Sequence, residues 1–195
     1  MSGQFPWYVA RSAGLVAWAL LAASVLWGLA LSTKVLSPKV RPNWILDLHR
    51  WLGGLALTFT GIHVAALLLD TYVHFGVVSV LVPFATSWHP GAVAWGVVSL
   101  YLLAAVEITS LLKSRIPKSV WRKTHFASFV LFVTSTVHGL SAGTDTGATM
   151  LRIGVLMTAA LFAGLTAARI IEAADPTPRP NRRPNPRPKS LRLDG

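Results

Sequence analysis

Cysteine is absent from all 195 residues, so disulfides, thiolate metal sites, iron–sulfur clusters and covalent c-type heme attachment are excluded. Acidic side chains are scarce. Seven Asp and Glu stand against 18 Lys and Arg, leaving a formal net charge of +11. Charged residues make up only 13% of the chain, about half the share of an ordinary soluble domain. In their place, 53% of residues are hydrophobic and the mean hydropathy is +0.54. The composition is that of an integral membrane protein.

The apolar residues come in blocks of bilayer-crossing length, about 20 residues per helix. Runs bounded by charged or turn residues place spans near 9–32, 46–69, 91–112, 120–140 and 149–172. The expected fold class is all-α, an integral membrane bundle of five transmembrane helices. Val77 to Phe84 is apolar but too short to cross, and His74, Pro83, Trp88, His89 and Pro90 interrupt its surroundings. It reads as an interfacial or re-entrant segment. From Asp175 the chain turns into TPRPNRRPNPRPK, too poor in apolar surface to fold alone. The expected organisation is a membrane domain over 1–174 and a disordered, Pro/Arg-rich cytoplasmic tail over 175–195.

Positive charge orients the bundle. Lys34, Lys39, Arg41 and Arg50 lie at the first connection, Lys113, Arg115, Lys118, Arg122 and Lys123 at the third, and six Lys or Arg in the tail. The connections from Asp70 to Pro90 and from Ser141 to Met150 contain none. By the positive-inside rule the first and third connections and the C-terminus face the cytoplasm, and five spans put the N-terminus outside the cell membrane. Arg11 and Arg152 argue mildly against this. A signal peptide is the competing reading of residues 1–32. A single early Arg, a long apolar run and a basic flank favour an uncleaved helix.

Four histidines lie within this apolar sequence. His49 and His63 are 14 residues apart in the second span, and His125 and His138 are 13 apart in the fourth. An ionisable side chain in a span is unfavourable to insert and is read as functional by default, and neutral imidazole is a good axial ligand for heme iron. The two spans run in the same direction. At about 1.5 Å per residue their separations are roughly 21 Å and 19–20 Å, so the pairs fall at matching depths. His49 and His125 sit near the inner face, His63 and His138 nearer the outer. Each pair can grip one heme from opposite sides. A 14-residue step returns to within about 40° of one helix face, whereas a 13-residue step is off by about 140°. The fourth helix must bend, tighten locally, or serve hemes that are not stacked directly.

The segments LHRWLGGLALTFTGIHV, around His49 and His63, and VWRKTHFASFVLFVTSTVHGL, around His125 and His138, carry a family resemblance. Over roughly residues 10–172 the chain resembles the ferric-reductase-like transmembrane domain family. This is the bis-heme b module shared by NADPH oxidases, eukaryotic ferric reductases and the heme subunit of bacterial periplasmic methionine sulfoxide reductase. The resemblance implies two heme b cofactors between the second and fourth helices, the inner one on His49 and His125, the outer one on His63 and His138. The chain is expected to depart from the oxidases and eukaryotic ferric reductases in having neither a helix before the bundle nor a C-terminal FAD and NADPH-binding domain. No Gly-rich dinucleotide fingerprint opens a βα unit. Electrons are therefore expected from a separate cytoplasmic flavoprotein or a membrane quinol.

The remaining candidates are weaker. Arg50, Arg122 and Lys123 adjoin the inner histidines and can pair with heme propionates, or serve only as topological charge. Gly53, Gly54 and Gly139 can admit a flat macrocycle close to the backbone, or simply pack helices. Glu107, in the ligand-free third span, can pair with a cation, handle protons or snorkel toward water. His74 and His89 can line a quinone or metal-substrate site near the outer face. Trp44, Trp51, Trp88 and Trp121 fit interfacial anchors. The tail's cations follow a span and lack interleaved aromatics, which points to anionic lipid and not to nucleic acid.

The function expected is transmembrane electron transfer, as an oxidoreductase component, to an outer acceptor such as a ferric chelate, oxygen or a periplasmic redox protein. The alternative is the heme subunit of a larger, quinol-fed reductase. A metal transporter is disfavoured, because Glu107 is the lone acidic residue away from the span ends.

Overall fold

The computed structural model describes residues 4–33, 43–71, 73–144 and 147–174. The expected tail over 175–195, and Lys34, Lys39 and Arg41, lie outside them. The described residues form an all-α bundle of five long helices and one short one: α1 (Phe5–Ser32), α2 (Asn43–Leu69), α3 (Val77–Leu81), α4 (Pro90–Leu111), α5 (Lys118–Ala142) and α6 (Thr149–Ala174). The five long ones are each long and apolar enough to cross a membrane. They match the five expected spans to within four residues at either end.

Local chemistry sets several boundaries. Proline opens both α1 and α4 at a position where its missing N–H is not needed. Pro117 caps α5, and at the other end the Gly143 N–H closes on the Gly139 carbonyl. The α3 segment is a single turn, held to α4 by the Tyr101 hydroxyl donating to the Leu81 carbonyl at 2.6 Å.

Two antiparallel pairs make the framework. In the first, α1 lies against α2, with the Trp27 indole donating to the Ile45 carbonyl at 3.0 Å. In the second, α4 lies against α5, with the Ser99 hydroxyl donating to Thr134 Oγ1 at 2.8 Å. The Trp18 indole ties the pairs together by donating to Thr136 Oγ1 at 3.0 Å. The central core cluster joins Leu21, Ala22, Val25 and Leu29 of α1 to Ala56 of α2, Leu103 of α4, and Leu131 and Phe132 of α5. Phe162 of α6 caps it, with ring centroids 4.7 Å from Phe132. Ala56 is midway between His49 and His63, and Leu131 and Phe132 are midway between His125 and His138, so this apolar layer separates the two histidine levels. Large apolar side chains elsewhere, such as Trp51, Phe126 and Leu156, are exposed around the outside, as a lipid-facing surface requires.

The Ser99–Thr134 contact is a buried interhelical hydrogen bond, a class that contributes about 0.6 and at most about 1.7 kcal/mol in membrane helices. Replacing Thr134 by Val should lower stability by that amount without altering the histidine levels. Thermal unfolding of the detergent-solubilised protein measures it.

Candidate functional site

The four span histidines meet in two pairs between α2 and α5. The His49 and His125 rings have centroids 6.0 Å apart and planes at 81°; those of His63 and His138 are 6.3 Å apart at 76°. Like levels face each other, so α2 and α5 run in the same direction. The 13-residue step on α5 is accommodated within one unbroken α-helix, with no 3₁₀ or π segment. Side-chain direction absorbs the difference: His138 leans toward α4, whereas His125 lies against Trp121 of its own helix.

Three of the four rings are anchored through Nδ1 to a neighbouring helix. His63 Nδ1 is 2.7 Å from the Ala10 carbonyl, His138 Nδ1 is 2.8 Å from the Ala92 carbonyl, and His49 Nδ1 is 3.0 Å from the Ser24 carbonyl and 3.2 Å from its hydroxyl. A carbonyl only accepts, so Nδ1 must carry a proton, and in the neutral imidazole Nε2 then keeps its lone pair. This is the arrangement in which a metal-ligating histidine is usually held. His125 differs: its Nδ1 is buried with no hydrogen-bond partner, and its ring stacks on Trp121 at 5.2 Å and 22°. The Lys113 ammonium also lies over the Trp121 ring, 4.1 Å from its centroid.

Glycines lie beneath three of the rings. A Cβ on Gly14 would stand 2.9 Å from His63 Nδ1, one on Gly28 3.1 Å from His49 Cε1, and one on Gly96 2.7 Å from His138 Cε1. None of these was singled out from the sequence. The available signal was the 14-residue interval from Gly14 to Gly28, equal to that from His49 to His63. Of the glycines that were singled out, Gly54 and Gly139 face open space and Gly53 meets the Glu107 carboxylate, 2.6 Å from its would-be Cβ.

The donor set has a definite chemical meaning. Two metal–nitrogen bonds of about 2.0–2.1 Å, with each nitrogen about 1.1 Å from its ring centre, span roughly 6.2–6.4 Å. Both ring pairs have nearly that separation. Among the described residues no three His, Asp or Glu side chains converge as a metal site. Two imidazoles alone are a poor cage for a bare ion, which takes about four ligands. The paired imidazoles would instead suit an iron that brings its remaining ligands with it.

The His63–His138 pair lines an apolar cavity between the helix pairs. It runs from Trp7, Arg11, Phe75 and Trp88 at one end, past His63 and His138, to Leu21, Leu103 and Leu131 in the central layer. Trp88 knits its mouth, packing edge-on against Trp7 and Phe75 with centroids 6.0 and 5.8 Å away. His89 lies edge-on to Trp88 at 4.6 Å and caps α4 in the left-handed conformation. His74 is left-handed too, with φ 59°, and is exposed. Neither joins the paired rings.

Near the His49–His125 pair, Arg50 pairs with Asp47 at 3.1 Å on the exposed surface. Arg122 and Lys123 are exposed beside Trp121. Glu107 has no cation within ion-pair distance among the described residues.

Residues 13–136 match the family described as the ferric reductase like transmembrane component. The matched stretch contains His49, His63 and His125 and ends two residues before His138. No curated protein and no solved structure matches the chain. With more than half of its length matched, the chain belongs to the ferric-reductase-like transmembrane component family.

Proposed function

We propose that the chain holds two b-type hemes, one on His49 and His125 and one on His63 and His138, and passes single electrons from the cytoplasmic to the outer face of the membrane. The observation that carries this reading is the pair of imidazole levels, 6.0 and 6.3 Å across, with three Nδ1 atoms committed to backbone carbonyls. Bound there, a b-type heme supplies a one-electron carrier that needs no open coordination position.

The protein's own groups do the rest. Imidazoles from two helices fix each level in depth, and the Leu131 and Phe132 layer keeps water from the space between levels. Lys113, Arg115, Lys118, Arg122 and Lys123 make the α4–α5 connection and the start of α5 cationic, which by the positive-inside rule marks the cytoplasmic side and attracts an anionic donor such as a flavoprotein. The C-terminus lies on this side and the N-terminus outside. Trp7 and Trp88 flank the outer end, where a ferric chelate or a periplasmic redox protein takes the electron. Electrons leaving a negative-inside compartment gain about 2.3 kcal/mol per 100 mV for each charge that fully crosses.

The test is vectorial. Full-length protein loaded with heme goes into sealed vesicles with reduced flavin trapped on the side of the α4–α5 connection and an impermeant ferric chelate on the other. Iron reduction outside, absent from protein-free vesicles, is expected. Reduction no faster than in protein-free vesicles contradicts the reading. Replacing trapped flavin by quinol in the membrane distinguishes the two donor classes by rate.

A further inference from the structure

We propose that Gly14, Gly28 and Gly96 are positioning residues for three of the four imidazoles. Each, with the carbonyl four residues before it, forms a two-point seat on a neighbouring helix that fixes one ring's tautomer and plane. The pattern repeats: Ala10 and Gly14 hold His63, Ser24 and Gly28 hold His49, and Ala92 and Gly96 hold His138. A four-residue step puts the carbonyl and the glycine on the same helix face one turn apart. The carbonyl takes the Nδ1 proton while the bare Cα lets the ring come close to the backbone.

Ordinary helix packing does not account for these glycines. The three heavy atoms nearest each missing Cβ are all imidazole atoms, with no backbone of the facing helix among them. The space is filled by the ring itself. One helix serves both rings of α2, since its two seats are 14 residues apart, as are His49 and His63. The α4 helix supplies a seat only for His138. Where a second would fall for His125, from Ala105 to Ser110, there is no glycine, and His125 Nδ1 is left unpartnered. The outer level is thus seated from both sides and the inner level from one.

The inference rests on the two-heme reading, and its test separates the two. Full-length wild type and the Gly96→Ala, Gly14→Ala and Gly28→Ala variants are purified. Heme per chain and the low-spin ferric resonance spectrum are measured for each. Gly164→Ala, in exposed α6 with open space around it, is the control. At Gly96 the added methyl would meet ring atoms at 2.7 and 2.8 Å, so the imidazole must leave its carbonyl. Heme should fall from two per chain toward one, with the inner signal unchanged. Gly14→Ala should act on the same outer heme. Gly28→Ala, whose nearest contact is 3.1 Å, should keep two hemes and shift only the inner signal. Two hemes with unaltered spectra in Gly96→Ala would overturn the seat. So would loss of both hemes together in all three variants, which marks a folding defect. A wild type without heme overturns the underlying reading itself, and the seat with it.

Discussion

Removing the imidazole of His138 is expected to take away one heme and leave the other. His63→Ala should give the same loss, and the double substitution should add nothing, because in the proposed function both rings act on one iron. Groups that act as a unit are strongly non-additive, and the cycle of two singles and a double exposes that coupling. His49→Ala and His125→Ala should form the second such set, removing the inner heme instead. The grouping follows from the facing rings, 6.3 Å apart at the outer level and 6.0 Å at the inner, and not from position along one helix. Extractable heme per chain checks it, with the spectrum of the remaining heme as the marker of a folded bundle. If His63 grouped with His49, or if every single substitution lowered both hemes equally, the two-level arrangement would be wrong.

Loss of either level should stop transmembrane transfer altogether, not halve it. The levels are roughly 20 Å apart along the helix axes, at about 1.5 Å per residue over 13 or 14 residues. The layer between them is aliphatic and aromatic carbon from Ala56, Leu103, Leu131 and Phe132. An electron's transfer rate falls steeply with distance, so one carrier cannot bridge both the layer and the far half of the membrane. In sealed vesicles, His63→Ala and His125→Ala should both bring outer ferric-chelate reduction down to the rate of protein-free vesicles. The inner heme of His63→Ala should still be reduced from the donor side. Half-maximal outer reduction by either variant would mean that the levels work in parallel, and the relay would fail.

The spans were legible because membrane solvent imposes a length and a polarity that sequence cannot disguise. The boundaries were less so: Phe5 and Asn43 begin their helices up to four residues before the apolar runs suggest. The histidines were legible because an ionisable group stands out among Leu, Val and Ala, and the 14- and 13-residue intervals on parallel spans imply matched depths. What holds the rings was not. The acceptors at Ala10, Ser24 and Ala92 are backbone carbonyls, which every residue possesses, so only the register between antiparallel helices shows which ones are used. Gly53, Gly54 and Gly139 attracted notice by lying near histidines in sequence, whereas the glycines beneath the rings lie on the partner helices. The 13-residue step looked awkward when taken as a helical-wheel angle. It ceases to be so once His138 reaches to α4 while His125 rests on Trp121.

The most direct test of the central claim is a dithionite-reduced minus oxidised absorption spectrum of purified wild-type protein, with heme extracted and counted per chain. Two low-spin b-type hemes per chain are predicted. Well-folded protein that carries none, after expression with ample heme, would contradict the account and leave four paired imidazoles without the metal their spacing fits.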